Sequence, residues 1–208
     1  MHVVVPYEAG SPKTRLEPLL DAGERSRLAR AMLDDVLSAV EAADGSPHVL
    51  ATAPLELECP VTVDDSPLSK AVNTVLAERS GEPTAIVMAD LALATAPALE
   101  RLFRTAGPVV LAPGRGGGTN AMVVREPTFR VDFHGCSYRD HLQGLSTGEP
   151  TTLDSYRLGT DIDEPADLPE VFIHSDGATR ETLESIGFSL AVGEGRVTLE
   201  RGDSQVIP

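Results

Sequence analysis

Hydrophobic and polar positions alternate along this chain in two rhythms. The opening run His2 to Val5, closed by Pro6, reads as a strand. A loop over residues 7–15 follows, broken by Gly10 and Pro12. Leu28, Met32, Val36 and Val40 then recur at helical spacing and predict a helix from Ala22 to Ala43. Asp21 is positioned to cap it, with Glu24 three residues on as capping-box partner, and Asp44-Gly45 ends it. Val49 to Ala53 and Cys59 to Val63 read as short strands. Ser66-Pro67 then starts a helix that buries Leu68, Val72 and Val75 or Leu76. Ala85-Ile86-Val87-Met88-Ala89 is a continuous apolar strand of the kind a buried parallel sheet requires, with Asp90 at its carboxyl end. A helix from Ala96 to Thr105, capped by Thr95, and a strand from Val109 to Ala112 complete the regular part.

After residue 112 the rhythm changes. Short strands are expected near 121–125 and 129–133, and helices near 137–146 and 178–186. Phe188 to Val192 and Arg196 to Glu200, separated by Gly193-Glu194-Gly195, read as a hairpin at a sheet edge. The strand-helix alternation argues for an α/β sheet with helices on both faces. No internal repeat or low-complexity linker interrupts it, so residues 1–208 read as a single domain.

Composition narrows the function classes. The 208 residues carry 17 basic and 32 acidic side chains, a net charge of −15. Such a surface repels nucleic-acid backbones and anionic membranes. Aromatic residues make up 4% and tryptophan is absent, which argues against a base-stacking platform. No apolar run reaches the ~18 residues of a membrane span, and the N-terminus lacks the basic start and apolar stretch of a signal peptide. Lys13 and Lys70 are the only lysines. Acidic excess with little lysine suits a cytosol rich in salt, although an acidic mesophile has the same composition. Cys59 and Cys136 show no metal-binding spacing and read as reduced thiols of a cytoplasmic protein.

In an open α/β sheet, ligands bind beyond the carboxyl ends of the strands, and three loops there could carry chemistry. Gly10-Ser11-Pro12-Lys13-Thr14-Arg15 sets a point charge beside a planar guanidinium, a pair suited to a polyphosphate, or is simply a solvated loop. Pro113-Gly114-Arg115-Gly116-Gly117-Gly118-Thr119-Asn120 could cradle an anion on backbone N–H groups, with Thr and Asn as added donors. It lacks the GK[ST] ending of a P-loop, and a flexible surface loop remains the alternative. Asp90, Asp161 and Asp163 offer the hard oxygens that Mg²⁺ takes. In an extended segment Asp161 and Asp163 point to one side; Asp163, Glu164 and Asp167 could equally cap a helix whose first turn holds Pro165. Ser137, after His134-Gly135-Cys136, is a natural helix N-cap whose bare N–H groups attract an anion, while His134 and His141 read as structural or surface histidines. No G-x-S-x-G elbow points to a serine triad.

Several stretches, taken in order, resemble the 2-phospho-L-lactate guanylyltransferases of archaea. They are Val5-Pro6, Pro12 to Leu16, Met88 to Leu91, Gly116 to Ala121, Asp132 to Tyr138 and Asp161 to Leu168. The resemblance implies a Rossmann-like three-layer sandwich of the nucleotide-diphospho-sugar transferase (glycosyltransferase-A-like) type, with a mostly parallel sheet and an antiparallel edge. It implies joining of the GMP part of GTP to 2-phospho-L-lactate with release of pyrophosphate, a step toward coenzyme F-420, in a haloarchaeal cytoplasm and as a homodimer. By the same resemblance Lys13 and Arg15 would hold the triphosphate, with Asp90 as a third catalytic residue. Asp90, Asp161 and Asp163 would hold Mg²⁺, and Gly117, Gly118, Thr119, Asn120, Gly135 and Ser137 the small phospho-acid. Two departures stand out: Tyr7-Glu8 replaces a basic residue and proline that many members carry, and Ala92 replaces a proline. The alternatives are a nucleotidyltransferase or glycosyltransferase with another acceptor, such as phosphoenolpyruvate or a sugar phosphate, and a nucleotide-binding module without turnover.

Overall fold

Single residues on each strand decide which way the sheet packs. The computed structural model describes residues 1–208 except 147, 194, 196, 203, 204 and 208, with side chains described no further than residue 202. Its main sheet comprises β1 (His2–Tyr7), β2 (Ser46–Ala51), β3 (Val61–Val63), β4 (Thr84–Val87), β5 (Val109–Pro113), β6 (Thr119–Val124) and β7 (Thr151–Thr152). The strand order is β3-β2-β1-β4-β6-β5-β7. Only β6 runs against its neighbours β4 and β5; the remaining pairs are parallel.

Alternation along the strands sends side chains to two separate cores. Val3, Val5, Ala85, Val87, Val110, Ala112, Ala121 and Val123 pack on one face, against α1 (Ala22–Ala42), α3 (Ala96–Arg104) and α7 (Ala178–Ile186). Val4, Ile86, Leu111, Met122 and Val124 pack on the other, under α2 (Leu68–Glu78) and the side chains of Phe129 and Val131. A sheet buried on both faces needs apolar residues at consecutive positions, which is why β4 reads as an unbroken run.

The predicted capping box is present: Glu24 N–H donates to Asp21 Oδ1 (2.8 Å) and Asp21 N–H to Glu24 Oε2 (3.0 Å). The N-cap of helix α7 is Gly177, which has no side chain to serve as acceptor. Asp35 of α1 supplies the acceptors instead, taking the N–H groups of Ala178 (2.7 Å) and Thr179 (2.9 Å).

Four expectations change. β1 runs through Pro6 to Tyr7. β4 pairs with β1 only as far as Val4, so the donor that proline lacks would have faced an unpaired edge. Helix α2 starts at Leu68 with Pro67 as its cap, and Leu68 is 38% exposed rather than core. Residues 129–133 form no strand. Asn73 of α2 imitates one instead: its side chain accepts from Val131 N–H (2.9 Å) and donates to Val131 O (2.9 Å), and Ser69 Oγ takes Phe133 N–H (2.9 Å). The terminal strands β8 (Phe188–Ala191) and β9 (Thr198–Arg201) pair as expected, but with β10 (Gln205–Ile207) they make a separate antiparallel sheet. The expected turn at Glu194 and the strand start at Arg196 lie outside the described residues. Arg201 ties this sheet to the start of α1, donating to Leu19 O (2.8 Å) and pairing with Glu24.

Three short helices complete the chain: α4 (Ser137–Gln143), α5 (Tyr156–Gly159) and α6 (Leu168–His174). Among the described residues no helix is long and apolar enough to cross a membrane.

Candidate active site

The loop after β1 folds back because Leu16, fully buried, pins a single 3-10 turn over Thr14–Leu16. Lys13 caps that turn in the left-handed region (φ 56°), an uncommon conformation for a side-chain-bearing residue. Its side chain is 9% exposed and its Nζ lies 2.8 Å from Asp90 Oδ2 and 3.3 Å from Asp163 Oδ1. Arg15 reaches the other oxygen of Asp163. Burial alone would pull the Lys13 ammonium down, but the charges and hydrogen bonds of Asp90 and Asp163 outweigh it and raise its pKa above the ordinary lysine value.

Asp90 stands just past β4, and Asp163 comes from 73 positions along the chain. Ile162 makes them neighbours: its side chain is fully buried and its N–H donates to Asp90 O (3.1 Å). Asp167 fixes the next turn by accepting the N–H groups of Asp163 (3.1 Å) and Glu164 (2.8 Å) and pairing with Arg115. Asp167 is thus the capping carboxylate, while Asp163 turns inward to Lys13. Asp161 takes a different partner, Asn120, whose Nδ2 donates to Asp161 Oδ1 (3.1 Å). Asp90 Oδ1 is buried and accepts from no donor. Among the described residues, no three His, Cys, Asp or Glu side chains converge as a metal centre.

From this cluster a cleft of about 510 Å³ extends across the carboxyl ends of β1, β2, β3 and β4. Met32, Leu50, Ala71 and Met88 give it apolar lining, and Glu8, Thr52 and Asp64 line it together with Lys13, Asp90 and Asp163. Sequence reasoning had named none of Glu8, Thr52 and Asp64 as site residues. Thr52 and Asp64 each follow directly on a strand end, so the rule that ligands sit at carboxyl ends was the available signal.

The glycine loop and the turn before α4 form a second group. Thr119 N–H donates to Ser137 Oγ (3.1 Å) and Thr119 Oγ1 meets His141 Nδ1 (2.8 Å). The His141 Nε2 takes the N–H of Asp132 (2.9 Å), so the ring proton must sit on Nδ1 and point at Thr119. Burial holds the His141 pKa below the usual histidine value. Thr119, Ser137 and His141 are all buried. Ser137 is the first helical residue, with Cys136 as N-cap, because its hydroxyl is used by Thr119. Gly117 (φ 83°) turns the loop, and a Cβ there would lie 2.9 Å from Cys136 Sγ. Gly135 (φ 54°) turns the facing segment. The N–H groups of Gly114, Arg115 and Gly117 already donate to carbonyls of Gly118, Gly159 and Gly114, so they are not free for an anion. Gly118 stands beside Asn120, whose Oδ1 would lie 3.8 Å from a Cβ at that position.

The family model described as "Guanylyl transferase CofC like" matches residues 1–201. The chain belongs to this guanylyl transferase family. Its relatives include proteins named 2-phospho-L-lactate guanylyltransferase. The one from Halomicrobium mukohataei is 57% identical over 97% of this chain and 100% of its own length. That from Haloferax volcanii is 52% identical over 97% and 98%. Among solved structures, a protein from Desulfovibrio desulfuricans G20 assigned as a nucleotide-diphospho-sugar transferase superposes with a TM-score of 0.69, at 15% identity over 88% of this chain and 94% of that one. A nucleotidyl transferase from Methanothermobacter thermautotroptrophicus gives 0.59, at 14% identity over 88% and 98%. These two likenesses place the guanylyl transferase chain in the fold its sequence resemblance implied.

Proposed function

We propose that this chain transfers the GMP part of GTP to 2-phospho-L-lactate and releases pyrophosphate, a reaction that serves coenzyme F-420 synthesis. The observation that carries the reading is the near-full-length identity to proteins of that name, and the convergence of Lys13, Asp90 and Asp163 on one cleft, with Arg15 paired to Asp163, agrees with it.

In this reaction a phosphate oxygen of 2-phospho-L-lactate bonds to the α-phosphorus of GTP. The bond from that phosphorus to the bridging oxygen of the β-phosphate breaks, and its electron pair leaves with pyrophosphate. A phosphate monoester with a second pKa near ~6 is mostly dianionic at neutral pH, so no general base is required. What opposes the step is repulsion between two anions. Lys13 and Arg15 stand where they can exchange carboxylate for phosphate oxygens and take up the charge of the departing group.

The residues fit Mg²⁺ as cofactor. Two carboxylates already converge on a single cationic nitrogen, and Asp90 keeps a buried oxygen without a donor. Asp90 and Asp163 would hold the ion, and Asp161, two residues along, would have to give up Asn120 to join them. When bound, the ion supplies neutralisation of phosphate charge. Asn120, with the Gly117–Gly118 and Gly135 turns, is the proposed phospho-acid side of the site. Thr119 and Ser137 hold its shape from beneath.

The test is pyrophosphate release from GTP and 2-phospho-L-lactate with Mg²⁺ in molar KCl, where an acidic surface is screened. Release that needs all three components is expected. No release from folded protein would refute the reading.

A further inference from the structure

Besides Asp90 and Asp163, three further carboxylates line the cleft without an ion pair to Lys13, and such groups are poor neighbours for any part of a triphosphate: Glu8, Asp64 and Asp65. They are not equivalent. Glu8 is exposed, and its Oε1 takes both Gly10 N–H (2.7 Å) and Thr52 Oγ1 (3.0 Å) while Thr52 Oγ1 accepts Ala9 N–H (3.0 Å), so this pair braces the loop after β1. Asp65 is also exposed. Asp64 is half-buried and fixed at both levels. Its N–H donates to Ala51 O (2.9 Å) at the end of β2, and its Oδ1 takes the Ser66 N–H (2.8 Å). That hydrogen bonding holds its carboxyl below the usual aspartate value, so it is an acceptor and nothing else at neutral pH.

A carboxylate beside apolar walls selects for a ligand edge made of donors. Among nucleobases, guanine alone presents two adjacent donors, the ring N1–H and the exocyclic N2–H₂. Adenine and cytosine pair a donor with an acceptor, and uracil offers one donor between two acceptors. We infer that Asp64 is the base-specificity residue of this cleft, accepting the N1–H and N2–H₂ edge of guanine while Leu50, Ala71 and Met88 enclose the ring. The inference rests on the proposed GTP reaction and names the part of the site that chooses the nucleotide. An aspartate facing the wrong edge meets a lone pair, so adenine and cytosine are rejected by repulsion as well as by a lost bond.

The test measures kcat/KM for pyrophosphate release with GTP, inosine triphosphate and xanthosine triphosphate, on wild type and on Asp64→Asn. Inosine lacks only the 2-amino group, so wild type should use it at least roughly tenfold less well than GTP. Xanthine carries an oxygen at position 2, which a carboxylate repels and an amide N–H₂ can bond. Asp64→Asn should therefore lose GTP and gain xanthosine triphosphate, reversing their order by roughly a hundredfold or more in ratio. Both nucleotides are read on one preparation, so partial misfolding cancels from the ratio, and the wild-type arm needs no variant. Equal use of GTP and inosine triphosphate by wild type, or an unchanged ratio in the variant, would overturn the role of Asp64 and leave the guanylyl transfer itself standing. Absence of any activity with GTP in wild type would instead remove the parent reading, and this inference with it.

Discussion

The two groups of polar residues at the carboxyl ends of the sheet are satisfied to different degrees. Around Thr119, Ser137 and His141, the threonine hydroxyl, the serine oxygen and both ring nitrogens meet a protein partner, and all three side chains are buried. Around Lys13, one ammonium is shared by two carboxylates, Asp90 Oδ1 has no donor, and a cleft opens beside them. A satisfied buried network gains nothing by exchanging partners, so it holds a shape. Two carboxylates around one ammonium, with one carboxylate oxygen lacking a donor, gain by accepting a ligand that brings more positive charge. On the proposed reaction, the Lys13 cluster is the reacting part of the site and the Thr119 network its support.

Substitutions in the two groups should have different effects. The largest effect should come from Asp90→Asn, which is nearly isosteric: turnover should fall by about a hundredfold to a thousandfold while the thermal midpoint moves by only a few degrees. Retained turnover would show that the cluster is structural after all. Lys13→Met should cost a comparable factor in rate and also stability, by about 1–3 kcal/mol, because Asp90 and Asp163 are then left facing each other. Denaturant titration reads this, and added Mg²⁺ should recover part of the loss. His141→Ala should show the opposite balance. It strands Thr119 and the Asp132 N–H and leaves a void, so about 2–4 kcal/mol of stability should go, while turnover per folded molecule changes by less than about tenfold. A catalytic collapse in a protein of normal stability would put His141 in the chemistry. Gly117→Ala should be milder, about 1–2 kcal/mol from the positive φ and the contact with Cys136, again with little change in rate.

The smallest effect concerns pH. The unfolded chain binds a proton at His141 near ~6.5, whereas the folded ring resists it. Between these two pKa values the unfolded state holds more protons, so stability is full above ~6.5 and is lost as pH falls below it. His2, whose pKa is lowered to about 4, acts in the same direction. Titration of the His141 ring by NMR should give a midpoint below ~6.5, and a midpoint above that value would contradict the buried neutral network.

Much of the Lys13 group could be read from the sequence. Lys13, Arg15, Asp90 and Asp163 were all named, because charged residues at strand ends among breakers are conspicuous and the motif order resembles a family. The turn of Asp161 to Asn120 was not legible. Spacing gives direction in an extended segment but not the partner that competes for a carboxylate, and Asn120 lies 41 positions away. The elements β1, α1 and β4 were read because each carries its own periodicity or cap. Residues 129–133 were misread for a physical reason: Phe129 and Val131 alternate like a strand, but the partner offering hydrogen bonds is the Asn73 side chain, which no local pattern announces. Helix α5 escaped because it is four residues long, too short for a helical period to show, whereas the helix that Pro165 could open was named as an alternative and is the 3-10 turn Pro165–Asp167 that runs into α6. Ser137 looked like a cap in isolation, and tertiary structure had already used its hydroxyl for Thr119.

On the proposed reaction, guanylyl transfer takes place at the Lys13–Asp90–Asp163 cluster. Pyrophosphate release from GTP and 2-phospho-L-lactate, with Mg²⁺ in molar KCl, tests it most directly when wild type and Asp90→Asn are compared at equal folded concentration. Release by wild type and almost none by the variant is expected. Equal release from both proteins would contradict it.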